Sequence, residues 1–302
     1  MATNKVRAGY MGLANIGGTR YRCTSFSVNP KHDVSFYNHV IGLKDTIPRT
    51  SAVKGENLET SYANIQRRIW RPSPISITGG MSFPATETNI SPIFELARYA
   101  NYFDIEFDYY CRNSTSGDNN RTFKNCRING FDFSVNAGDI VTISLDVAAT
   151  DFEGSTSSIF HYKTPEKLIT WDKCPVEINN APFSIDHTII NGLSFKINNN
   201  IQTIYVTDNT VAPVPGPPVP SHRLLPHDLR AGMQEVSGTV SIYLGQGYEY
   251  IPISLSSPSQ IKFTCPSLSV TMSVVFNSCT MEGQVGPIVT QLPFVGVDYV
   301  FS

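Results

Sequence analysis

Along most of this chain, apolar and polar residues alternate with a period of two, in short runs bounded by Asn, Gly, Pro and Ser. That is the pattern of half-buried β-strands. "CTSFSV" and "VSFYNHV" carry it on either side of "NPKHD", which predicts a hairpin turning at those five residues. "ISITGGMSF" continues the pattern, as does "DIVTISLDV", where Val141, Ile143, Leu145 and Val147 share one face. "GLSFKI" and "TIYVTD" flank "NNN" as a second predicted hairpin, and "VSGTVSIYL", "LSVTMSVVF" and "VGVDYVF" follow. One segment has helical spacing instead. In "ISPIFELARYA", Ile93, Phe94, Ala97 and Ala100 fall on one stripe, with Ser91 able to cap and Pro92 at the first helical position. One helix among many strands predicts a mainly-β fold.

The strands also echo one another. Ser25-Phe26-Ser27-Val28-Asn29 matches Ser194-Phe195-Lys196-Ile197-Asn198. Thr78-Gly79-Gly80-Met81-Ser82-Phe83 matches Ser237-Gly238-Thr239-Val240-Ser241-Ile242. Val141, Ile143, Leu145 and Val147 match Leu268, Val270, Met272 and Val274. Three matches in one order predict a duplicated unit, with a boundary near "DFEGSTSSIFHYKTPE" and domains at 1–160 and 161–302. Under that division "VAPVPGPPVP", with Pro213, Pro215, Pro217, Pro218 and Pro220, is a loop and not a linker. It takes the place of the irregular 43–72 stretch of the first copy, stiffened into an extended polyproline-II arm.

Composition narrows the function more than the fold. An apolar content of 41% with 16% charged residues describes a folded chain. A net charge of −2 disfavours a protein that grips nucleic acid through a basic face, though not one that nucleic acid passes. The start, "MATNKVRAGYMGLANIGG", has no apolar core of a secretory signal, and no apolar run reaches 18 residues, so neither export nor a membrane partner is expected. The six cysteines lie far apart without CxxC spacing, and they are expected to be reduced, small apolar residues.

No arrangement of residues predicts catalysis. The six histidines show no metal-ligand spacing, His222 and His227 included, and there is no GxSxG elbow, P-loop or GxGxxG. Catalytic, cofactor and metal sites are therefore expected to be absent. One constellation stands out. In "DIEFDYY", Asp104, Glu106 and Asp108 fall on one face of a strand, with Ile105, Phe107 and Tyr109 on the other. Three like charges in a row need water or counter-ions. They fit either a solvated outer strand or the wall of an aqueous channel whose cargo must not stick.

"ISITGGMSFPATETNISPIFELA", "GDIVTISLDVAATDFEG", "LITWDKCPVEINNAPF", "GLSFKINNNIQTIYVTD" and "LLPHDLRAGMQEVSGTVSIYL" resemble segments of the tail tube proteins of long-tailed bacteriophages. The resemblance implies two tandem tail-tube-like β-sandwich modules with one short helix, closing with other copies into a ring with a continuous inner β-barrel. Rings would stack into a tube conducting double-stranded genomic DNA to the host without binding it. The 43–72 loop and the proline-rich loop would reach the neighbouring ring, and "DIEFDYY" is a candidate for the channel wall. If each module gives four strands to the barrel, six modules leave an opening of roughly 40 Å and three only about 16 Å. A two-module chain is then expected to be a trimer with pseudo-sixfold symmetry; a hexamer follows if the repeat is illusory. The implied partners are other copies, a tail terminator and tail-tip proteins, and the implied location is the virion tail, assembled in the host bacterial cytoplasm. Alternative readings are another tail part (terminator, tail-tip or baseplate ring) and a two-domain carbohydrate-binding sandwich, the latter suggested by the 14 tyrosines.

Overall fold

The structure is a computed structural model that describes residues 12–40, 66–109, 120–155, 166–180, 183–185, 189–205, 225–244, 258–277, 280–282 and 288–301. The first half contains β1 (Gly12–Ile16), β2 (Thr19–Cys23), β3 (Ser25–Phe26), β4 (Asn29–Val40), β5 (Gln66–Pro84), helix α1 (Ile90–Tyr99), β6 (Phe103–Tyr109), β7 (Asn120–Asn136), β8 (Thr142–Ala149) and β9 (Asp151–Ser155). The second contains β10 (Val176–Asn180), β11 (Phe183–Ile185), β12 (Ile190–Asn198), β13 (Gln202–Ile204), β14 (Asp228–Arg230), β15 (Glu235–Leu244), β16 (Ser259–Cys265), β17 (Leu268–Phe276), β18 (Thr280–Glu282) and β19 (Ile288–Phe301). The mainly-β expectation holds, and α1 is the one α-helix among the described residues.

Every strand pairing is antiparallel, and one order of pairings occurs twice. In the first half it runs β2–β1–β6–β7–β8–β5, with β3 and β4 in succession along the far edge of β5. In the second it runs β11–β10–β16–β17–β19–β15–β12. β9 continues β8 along β7, and β18 continues β17 along β19. The two halves meet where β7 pairs with β12, Phe133 opposite Phe195. This joint makes β3/β4–β5–β8–β7–β12–β15–β19 one long sheet.

β7 changes layer along its length. Asn125 adopts a left-handed φ of 49°, and the pairing with β8 slips between Ile128 and Gly130. These irregularities bend the strand. Its first part joins β1, β2, β6 and β9 in a small sheet, and its last part joins the long sheet. Aromatic residues fill the space between the layers. Phe26 stacks on Phe107 with ring centroids 3.6 Å apart, and Tyr21 meets Phe83 at 4.8 Å. In the second half the sheet curls until Phe263 of β16 lies 5.0 Å from Phe133 and 5.3 Å from Phe195. The apolar residues of both halves form a single buried cluster.

α1 lies where the predicted helix was, with Ile90, Ile93, Phe94 and Ala97 buried. Phe94 sits edge-on to Phe131, Phe195 and Tyr299, so one helix of the first half also seals the core of the second. Its N-cap is Asn89, not Ser91: the Asn89 side chain accepts from the Thr86 N–H at 2.8 Å and donates to the Pro84 carbonyl. Ser91 and Pro92 lie in the first turn, where the missing proline N–H still breaks no helical bond.

Several expectations need correction. "NPKHD" is not a turn but the start of β4, and β3 and β4 both pair with β5 instead of with each other. Pro30 is tolerated there because the outer edge of β4 carries no strand among the described residues. After "NNN", β13 pairs with β14 and not back on β12. Residues 66–72 of the expected irregular stretch are strand, paired with 34–40. Residues 43–65 lie outside the described residues. The third echo matched β8 with β17, whereas the strand beside β15, as β8 is beside β5, is β19. The chain visits the four long strands of each half in the spatial order first, second, fourth, third, which alternation alone does not reveal.

The expectation of six reduced thiols also fails. Cys174 and Cys265 are disulfide-bonded, with Cα atoms 4.6 Å apart. They lie two positions beyond the Val176–Phe263 pair of β10 and β16, where the same register brings them opposite each other, and 91 residues of sequence hid that proximity. Cys23 and Cys126 are free and buried. Burial pushes the Cys23 thiol up to about 12 and moves Cys126 in the same direction, so both stay protonated. Cys111 and Cys279 lie outside the described residues.

Candidate functional site

The long sheet has a core face and an outward face, and the outward one is polar and almost uncharged. Alternation puts Ile77, Met81, Ile143, Leu145, Phe133, Phe195 and Val240 inward. It puts Ser82, Ser144, Ser134, Ser194, Thr239 and Ser241 outward. Hydroxyls and amides bond across the strands: Ser82 with Ser144 at 2.8 Å, and Ser241 to the Gln291 side chain at 2.9 Å. Such lateral bonds satisfy the face within itself and leave few groups projecting to grip a passing molecule.

Charge on this face is sparse: Lys31 of β4, opposite Ser76, and Glu235 of β15 are exposed on it, and the rest gathers around one lysine. From Pro74 onward in β5, through β8, Gly130–Asn136, β12, β15 and β19, Lys196 is the only Lys or Arg. Its Nζ lies 3.4 Å from an Asp132 carboxylate oxygen and 3.8 Å from one of Asp146. The three side chains are partly exposed, so these pairs add little to stability. Their effect is electrostatic: Lys196 is outnumbered by carboxylates from the two strands beyond it. Lys196 stands on β12 opposite Asp132 of β7, at the joint between the halves.

The carboxylates singled out in the sequence lie elsewhere. β6 sits inside the small sheet, between β1 and β7. Ile105 and Phe107 are fully buried, so Asp104 and Glu106 point away from the core. Glu106 accepts from the Asn15 side chain at 3.0 Å, and Asp104 accepts from the Asn125 N–H at 2.9 Å, closing the bend in β7. Asp108 has Leu13 and Asn120 as its strand partners; its side chain is outside the described residues. The candidate strand thus belongs to the layer opposite the polar face of the long sheet. Pro213, Pro215, Pro217, Pro218, Pro220 and His222 lie outside the described residues. The connections that hold 41–65 and the prolines join equivalent strands, β4 to β5 and β12 to β15, and both leave from the same end of the sheet. Among the described residues, no group of three or more His, Cys, Asp or Glu side chains is placed to hold a metal ion.

At that same end the two halves share a buried polar node that the sequence reading missed. Asn199 is 2% exposed. Its side-chain amide donates to the carbonyls of Ala97 on α1 and Ile128 on β7, at 2.7 and 2.8 Å. Gln234 donates to both the Asn199 side chain and the Arg98 carbonyl, and accepts from the Tyr299 hydroxyl. Burial pushes Tyr299 up to about 12, which keeps that hydroxyl a donor. Helix, joint and C-terminal strand are thereby fixed to one another. Asn199→Leu strands two buried carbonyls and is expected to cost about 2–3 kcal/mol, read as a lower urea midpoint with an unchanged slope. A midpoint equal to wild type would show that the node carries no stability.

No curated protein matches the chain. A family model described as phage tail tube protein matches residues 60–291, which is more than three quarters of it and spans the polar face, the helix and the joint.

Proposed function

The chain belongs to the phage tail tube protein family, and from that membership we propose that its copies close into rings in which the long sheet lines a channel for double-stranded DNA. Family membership makes it a structural component of the virion tail. The observation that carries the channel reading is the outward face: rich in hydroxyls and poor in cations, with Lys196 offset by two aspartates. A phosphate backbone is held chiefly by Lys and Arg contacts, each of which releases counter-ions and steepens binding. A face so poor in cations lets the duplex slide. The wall is thus assigned to the long sheet in preference to Asp104, Glu106 and Asp108.

The repeated order of strand pairings supports two tandem modules with the division near 160, each giving four strands to the wall. Three copies then contribute about 24 strands, for a backbone diameter of roughly 50 Å and room for a duplex about 20 Å across. The preferred assembly is a trimeric, pseudo-hexameric ring. The 41–65 and proline-rich connections, leaving from one end of the sheet, are suited to touch the next ring in the stack. Copies of the chain, a terminator and a tail tip are the partners this reading needs.

Reversing charge on the wall tests it. Asp132→Lys with Asp146→Lys turns the lysine site into a cluster of three cations on each copy. Tubes of this variant are expected to retain short duplex DNA at low salt and release it steeply as salt rises, while wild-type tubes retain none. Equal retention by both would exclude this face as the wall.

A further inference from the structure

The joint between β7 and β12 has no counterpart at the other ends of the repeated pairing order, and those ends carry the two halves of one. The outer edge of β3 and β4 pairs with no strand among the described residues, and neither does the outer edge of β18, which runs past the end of β16. β3/β4 holds the place in the first half that β12 holds in the second, and β17/β18 holds the place of β7. We infer that β18 of one copy pairs antiparallel with β3/β4 of the next, in the register of the internal β7–β12 joint, with Glu282 opposite Ser27, Met281 opposite Val28 and Thr280 opposite Asn29. This rests on the ring reading and specifies its contact.

The register follows from contacts within each half. Two glycines fix the first edge. A Cβ on Gly79 would lie 2.3 Å from the Ser27 carbonyl oxygen and 2.5 Å from the Val28 Cα; one on Gly238 would lie 2.4 Å from the Ser194 oxygen and 2.9 Å from the Phe195 Cα. Ser27–Val28 therefore correspond to Ser194–Phe195. Two residues beyond the glycines, Met81 stands opposite Leu145 and Val240 opposite Leu292, so Leu292 corresponds to Leu145. Thr290, two residues before Leu292, then corresponds to Ile143; Ile143 faces Phe133 on β7, and Thr290 faces Met281 on β18. Met281 thus corresponds to Phe133. Since Phe133 pairs with Phe195 inside the chain, Met281 pairs with Val28 between chains.

Edge chemistry agrees with this assignment. The Ser27 N–H bonds to the Gly80 carbonyl, so Ser27 spends its backbone groups on β5. In an antiparallel strand its neighbour Val28 then directs N–H and C=O to the open edge. An edge with such unpaired groups is a template for another strand, and closing the ring removes it. Ser27 and Glu282 would form a non-hydrogen-bonded pair, with Cα atoms about 4.5 Å apart, within reach of a disulfide.

Cross-linking of the full-length chain tests the register, in a background with Cys111→Ser and Cys279→Ser. Ser27→Cys with Glu282→Cys, assembled in reduced glutathione, which leaves the buried Cys174–Cys265 bond closed, checked for tubes by electron microscopy and then oxidised, is expected to give covalent dimers and trimers and nothing larger. Mixing the two single variants is expected to give dimers only, which excludes a bond within one chain. Ser25→Cys with Glu282→Cys, two residues out of register, is expected to give at least about tenfold less product. Tubes that form without the 27–282 cross-link, or that link better at 25–282, overturn the joint and leave the tube reading intact. Ladders beyond trimer overturn the closed three-copy ring. Wild-type protein that forms no rings at any concentration contradicts the tube reading, and the joint with it.

Discussion

Gly238→Val is expected to leave the chain unable to fold, and Gly79→Val to do the same in the other half. A first side-chain atom at Gly238 would lie 2.4 Å from the Ser194 carbonyl oxygen, 2.9 Å from the Phe195 Cα and 2.4 Å from the ring of Phe294. The ring could turn; the backbone of a paired strand cannot move without opening β12 from β15. Phe195 is packed against Phe133 and Phe263, so displacing it disturbs the core on both sides of the joint. Overpacking of a rigid core commonly costs 1–3 kcal/mol, and a clash with backbone exceeds that range. Even Gly238→Ala is expected to lose more than about 4 kcal/mol, a large share of the total stability of a domain. Gly154→Ala is the control: nothing lies within 4 Å of the added atom, and a change within about 0.5 kcal/mol is expected. Equal melting curves for the alanine variants at 154 and 238 would refute the close approach.

Loss of the Cys174–Cys265 disulfide is the second large effect. The bond closes a loop of 91 residues, and the chain-entropy relation gives about 4–5 kcal/mol for a loop of that length. Within that loop lie β12 and β15, two of the four strands that the second half gives to the proposed channel wall. Reducing the protein, or replacing both cysteines with alanine, is expected to lower the denaturant midpoint by a matching amount. Cys23 and Cys126 are buried and free, so reductant should act through this pair alone among the described cysteines. A midpoint insensitive to reductant, with the bond verified by mass, would show that it does not hold the second half together.

The sequence displayed elements better than their neighbours. Alternation in "DIVTISLDV" and the stripe in "ISPIFELARYA" were legible because each is set by one segment's own contacts with the core. Pairing was not, since it depends on which segment comes to lie beside which. β7 went unread: Asn125, Asn129 and Gly130 interrupt its alternation at the bend that carries it from one layer to the other. The echoes, read as a duplication, also missed the register in which the repeated pairing order would align. They aligned Phe26 with Phe195 because both are aromatic, but packing against the glycines pairs Val28 with Phe195. The third echo failed because any two buried strands look alike.

The candidate site divided along the same line. That some strands turn a polar side outward was visible in their serines and threonines. That those sides unite into one face, with Lys196 between Asp132 and Asp146, required the order of the strands. Asp104, Glu106 and Asp108 drew attention because three carboxylates in five residues are conspicuous. Scattered hydroxyls are not, yet they cover the larger surface.

The most direct test of the central claim is electron cryo-microscopy of assembled tubes, with the symmetry determined from end-on views and the chain traced through the wall. The account predicts threefold rings in which β3/β4, β5, β8, β7, β12, β15, β19 and β17/β18 run side by side around the channel, with Ser134, Ser194 and Lys196 facing the lumen. Sixfold rings, or a lumen lined instead by the small sheet with Asp104 and Glu106, would contradict it.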